Sequence, residues 1–152
     1  MIFAKNSITM NNVFKVIIFA AVAILAVVGC SKDQKVVKQL ADGRWEVTDL
    51  KYDRVSAPDS LYVNDIYEFE KCKVKNEDCA GTWTTIDPAK GEVVTPFTYS
   101  ISDKGETITI NLDLLGIPAT TVADIIESSD DRFVWSSEDQ DGVVVETTIE
   151  KL

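Results

Sequence analysis

The chain has 152 residues, with 15 Lys+Arg against 25 Asp+Glu, a net charge of −10, and no histidine. That length suits one ordinary domain. Without histidine the commonest general base, the commonest zinc ligand and every Ser-His or Cys-His nucleophile pair are gone, and the acidic balance argues against nucleic acid as a partner, because phosphate neutralisation needs clustered Lys and Arg.

The first element is an address. Residues 16–29 read VIIFAAVAILAVVG, an uncharged run preceded by Lys5 and Lys15, and no acid occurs before Asp33. A basic start, an apolar run of this length and a small-residue end predict an export signal over residues 1–29. A membrane-spanning helix would need about 20 apolar residues. Met10, followed by Asn-Asn-Val-Phe-Lys15, gives a more compact basic region than Met1. The end of the run, Val27-Val28-Gly29-Cys30, resembles the bacterial lipobox. The resemblance implies cleavage before Cys30, lipidation of its thiol and acylation of the new N-terminus. The expected address is the cell envelope of a Gram-negative bacterium, anchored in the outer membrane and facing the periplasm or the surface. Acyl chains contribute about 0.8 kcal/mol per buried methylene, so several of them anchor stably. Ser31-Lys32-Asp33-Gln34 is similar to the short Lys/acidic signals that follow the lipidated Cys of some surface lipoproteins, and it equally suits a solvated tether.

Residues 30–42 form the tether and a short helix. Over residues 34–41, QKVVKQLA, the apolar Val36, Val37 and Leu40 share one helical face, and Asp42-Gly43 stops the turn. From residue 43 to 152 the dominant period is two. Strands are predicted at Arg44–Leu50, Ile66–Lys73, Ala80–Ile86, Val93–Ile101, Thr107–Leu112, Thr120–Glu127, Arg132–Ser136 and Val143–Glu150, separated by turn residues. Ile125 and Ile126 are adjacent apolar residues, which predicts a bulge or a covering element. Pro96 cannot donate to a ladder and marks a bulge or a gap between strands. Eight short strands with close turns make an antiparallel meander, and closing it into an all-β up-and-down barrel removes the exposed edges.

Gly43-Arg44-Trp45, opening the first strand after a short helical turn, resembles the Gly-x-Trp signature of lipocalins. Phe69-Glu70-Lys71-Cys72 and Cys79-Ala80-Gly81-Thr82-Trp83 are similar to stretches of small bacterial lipocalin-like lipoproteins. The resemblance covers roughly residues 38–152. It implies an eight-stranded calycin-type barrel whose closed end is plugged by Trp45, with Lys151 stacked on the ring as a cation. The chain lacks the long C-terminal helix of full-length lipocalins and an inward Arg-x-Tyr pair for a fatty-acid carboxylate.

Cys72 and Cys79, with six residues between them, sit on neighbouring strands, which in an exported protein reads as a structural disulfide across a hairpin. No metal and no cofactor is expected. Ser137–Gly142 has acids at some calcium-loop positions, but Ser137 and Thr148 stand where ligands are needed, and an Asp-Gly hairpin turn accounts for the same residues. The paired carboxylates Glu68/Glu70, Asp130/Asp131 and Glu138/Asp139 fall on the outer face or in turns, so no catalytic residue is assigned and the chain is not read as an enzyme. Eight rings are predicted inward: Trp45, Tyr67, Phe69, Trp83, Phe97, Tyr99, Phe133 and Trp135. An eight-stranded barrel is filled by its side chains or holds one small ligand. Two roles therefore stand side by side. One is a binding role for a small apolar ligand; the other is a filled barrel that recognises an envelope protein partner.

Overall fold

The computed structural model describes residues 32–73, 78–114 and 116–152. The predicted export signal and Cys30 lie outside the described residues. Residues 32–40 form helix α1, with Val36, Val37 and Leu40 buried along one face as their spacing predicts. The strands are β1 (Arg44–Tyr52), β2 (Val55–Ser56), β3 (Ile66–Phe69), β4 (Cys79–Asp87), β5 (Gly91–Ser102), β6 (Thr107–Leu114), β7 (Ile117–Ser128), β8 (Arg132–Glu138) and β9 (Val144–Lys151).

The two-residue β2 folds back on β1 as a flap, through a turn in which Asp53 and Arg54 both have positive φ. Two consecutive positive φ values give that turn the twist a two-residue hairpin needs. The other eight strands pair antiparallel in the order β1, β3, β4, β5, β6, β7, β8, β9, and β9 returns to β1, from Trp45↔Lys151 to Tyr52↔Val145. The result is a closed, eight-stranded, up-and-down antiparallel barrel.

Three irregularities shape it. Thr48 is an extra residue between Val47 and Asp49 of β1. Ile126 is an extra residue between Ile125 and Glu127 of β7, at the predicted bulge, and it points into solvent. The β5–β6 ladder stops at Phe97↔Leu112, so Gly91–Pro96 pairs with β4 alone and Pro96 marks a gap between strands.

The second strand is shorter than predicted. β3 ends at Phe69, and residues 70–73 are not strand. The carbonyls there are engaged elsewhere: Tyr99 donates its hydroxyl to the Glu70 oxygen at 2.9 Å, and Gln34 Nε2 donates to the Cys72 oxygen at 2.9 Å. On the other side of β3, residues 57–65 replace the missing ladder. Ala57 N donates to Leu50 O and Val47 N to Asp65 O, and Ala57 and Tyr62 are buried beneath this loop.

Helix α1 lies across one end of the barrel. Gln39 Nε2 donates to Asp130 Oδ1, and Gly105 N donates to Asp33 Oδ1, tying the helix to two of the loops at that end. Trp45 is fully buried there, its Nε1 donates to the Leu40 carbonyl at 2.6 Å, and Phe133 meets it edge-on at 5.1 Å. Lys151 does not end in the expected stack. Its ammonium pairs with Asp42 at 3.1 Å, and its methylenes pass so close to Gly43 that a Cβ there would lie 2.6 Å from Cε. The carboxylate at the helix end offers the ammonium a charged partner that still leaves it wet, which a ring face does not.

Candidate functional site

The opposite end of the barrel is built differently. There β6 turns Ile110 and Leu112 inward, and the β7 residues in register with them are Thr121 and Ala119. Large side chains facing small ones leave space that the packed lower barrel does not have. A cavity of about 420 Å3 opens there, within the range of small-molecule sites. Tyr67 and Trp135 are its rings, edge to face at 6.0 Å. Ile110, Leu112 and Val145 extend the apolar wall, and Thr121, Ser137 and Thr147 add hydroxyls. Thr121 faces inward by register yet is exposed, because nothing covers it. The rim, where β8 ends, carries Glu138 and Asp139.

The eight predicted inward rings divide between the two ends. Trp45 and Phe133 plug the helix end. Phe69, Phe97 and Tyr99 form a buried layer of edge-on contacts between 5.0 and 6.3 Å. Tyr67 is the hub: it stacks on Trp83 at 6.1 Å and 7°, and it also meets Phe69, Phe97 and Trp135. Only Tyr67 and Trp135 reach the cavity. The sequence reading missed Thr121, Ser137, Val145, Thr147 and Glu138 as lining residues. The available signal was the small inward pair Ala119 and Thr121 at the open end of β7.

Cys72 and Cys79 form a disulfide, Cα to Cα 5.4 Å, at the helix end and away from the cavity. Among the described residues no cluster of three or more His, Cys, Asp or Glu side chains could hold a metal. The Asp139 carboxylate accepts from Asp141 N and Val143 N at 2.9 Å each, which spends it on the hairpin turn.

One carboxyl beside the aromatic hub is electrostatically costly. Burial pushes Asp65 from 3.8 up to about 6, opposed by the nearby Trp83 indole N–H. That N–H closes no hydrogen bond of good geometry and is buried. Burial and the Asp65 charge also raise the Tyr67 hydroxyl. The folded chain holds the Asp65 proton more tightly than the unfolded chain does. Stability therefore falls as pH rises from about 4 to about 6, and the loss persists above. Two pH units correspond to about 3 kcal/mol, and half-exposure reduces this to about 1 kcal/mol. Asp65→Asn should gain about that amount at neutral pH and almost nothing at pH ~4. Urea unfolding at the two pH values checks this; an equal difference at both would show that the carboxyl is not desolvated.

No family model matches the chain, and no curated protein matches it. Solved structures do. A lipocalin-like protein from Bacteroides uniformis superposes with a TM-score of 0.51 at 16% identity, over 75% of this chain and 99% of that one. The fold is a lipocalin-like barrel. A redesigned beta barrel gives 0.53 at 11% identity, over 77% of this chain and 95% of the other. Bovine odorant binding protein, solved with a selenium-containing odorant, gives 0.45 at 15% identity, over 76% and 72%. At these identities the likeness is one of fold. In this lipocalin-like barrel Trp45 and Phe133 fill the barrel beneath the helix, and the ring-lined cavity sits at the other end.

Proposed function

We propose that the chain is a lipid-anchored envelope lipoprotein whose barrel binds one small, largely apolar molecule in the open-end cavity, without catalysis. The observation that carries the binding role is the cavity itself, with two rings at its wall and small residues along β7. A barrel selected only for packing would place a bulky residue at Thr121, since filling a void of this size stabilises. The anchoring role rests on the lipobox resemblance at Cys30 and the apolar run before it.

One experiment reads both parts. Native mass spectrometry of the chain isolated from its host membrane should show acyl mass at Cys30 and a second, non-covalent mass in the barrel. Cys30→Ala should abolish the first and leave the second. Thr121→Phe should put a ring into the cavity and reduce ligand occupancy at least tenfold while keeping the acyl mass. An acylated Cys30→Ala chain would overturn the anchor. Undiminished occupancy in folded Thr121→Phe would overturn the site.

A further inference from the structure

Charge separates the possible ligands of this cavity. Among the described residues its only charged lining residues are Glu138 and Asp139, and no Lys or Arg lines it. Asp139 is committed to its turn. Glu138, at the end of β8, has no ion-pair or hydrogen-bond partner among the described residues, so its carboxylate is free at the rim. A third acid, Asp65, lies beside Tyr67 with no cation paired to it. The Tyr67 hydroxyl makes no hydrogen bond among the described residues, although its ring is packed on several sides and lines the cavity. A polar group held unpaired at a cavity wall is a place where a ligand atom gains a bond at no cost to the protein.

We infer that the cavity selects a cationic amphiphile: an apolar or aromatic body against Tyr67 and Trp135, and an ammonium group held at the rim by Glu138. This rests on the ligand-binding role proposed above and narrows it to one class of ligand. An anionic amphiphile such as a fatty acid meets like charge at the rim and no compensating base, and like-charge juxtaposition excludes as effectively as attraction selects. The two rings add a preference of the same sign, because the negative face of an indole or phenol attracts cations. The hydroxyls of Thr121, Ser137 and Thr147 supply neutral acceptors along the wall for an ammonium's remaining protons.

The test uses three probes of one shape: 4-phenylbutylamine, 4-phenylbutanol and 4-phenylbutanoate. Each is titrated into the full chain at neutral pH and low salt, by calorimetry and by tryptophan fluorescence. The amine should bind at least tenfold more tightly than the acid, with the alcohol between. Glu138→Gln should weaken the amine at least threefold and leave the alcohol unchanged, and added salt should narrow the amine–acid gap. Equal binding of all three, or tightest binding of the acid, overturns the charge preference and leaves the cavity as a general apolar site. An unchanged amine affinity in Glu138→Gln overturns the role of that carboxylate. Binding of none of the three overturns the ligand-binding role itself, and the preference with it.

Discussion

Trp45→Ala should cost about 3–5 kcal/mol, a large share of the stability of so small a domain. The ring is fully buried at the helix end, so its removal opens a void that neither α1 nor β9 can collapse into without breaking its own pairing. The loss is more than volume. The indole N–H satisfies the Leu40 carbonyl, and alanine leaves that acceptor at a buried helix end without its partner. Phe133 loses its edge-on neighbour at the same time. Trp45→Phe keeps most of the volume and drops the hydrogen bond, so it should cost about 1–3 kcal/mol, between wild type and alanine. Urea unfolding of the three chains gives the order. An alanine variant within about 1 kcal/mol of wild type would mean that the plug does not hold the helix to the barrel.

Reducing the Cys72–Cys79 disulfide should cost about 2–2.5 kcal/mol, the chain-entropy value for a ring of this size. The bond closes the loop between β3 and β4, where β3 has only four residues and its outer end is held by side-chain bonds to Glu70 and Cys72. Releasing it frees that loop together with the Gln34 contact that ties it to α1. A serine pair at both positions should therefore lower the urea midpoint by the same amount as reductant does, and reductant should then have no further effect. A midpoint insensitive to reductant would assign the hold on residues 70–72 to Tyr99 and Gln34 instead.

Much of the barrel was legible as alternation. Trp45 and Val47, Phe97 to Ile101, and Ile108 to Leu112 alternate cleanly because each lies on a strand with one dry face and one wet face. The breaks in alternation were equally informative. Adjacent Ile125 and Ile126 called for a bulge or a covering element, and Pro96 for a bulge or a gap; the structure takes the bulge at the first and the gap at the second. What stayed hidden depends on contacts distant in sequence. Nothing near Lys151 announces that Asp42 will take its ammonium in place of the Trp45 ring. Nothing near residues 57–65 announces that an irregular loop will stand in for a ladder beside β1. The cavity was missed for another reason. Large rings mark what fills a barrel, whereas a void is written in small residues beside large ones, as Thr121 stands beside Ile110.

The closure of β9 onto β1 sets an order of events for a chain that becomes this barrel. From β4 to β9 each strand pairs with its immediate successor, so those hairpins can assemble from neighbours along the chain. The ring cannot shut that way. Lys151 reaches Asp42 across 109 positions, and β1 finds β9 only when nearly the whole sequence is present. Helix α1 has no completed end to sit on before that moment. The loop-closure entropy of that last pairing falls on contacts more than ninety positions apart, where the neighbouring hairpins close short loops. Until the last strand arrives, the chain is a curled ribbon with two raw edges, β1 and whichever strand came last.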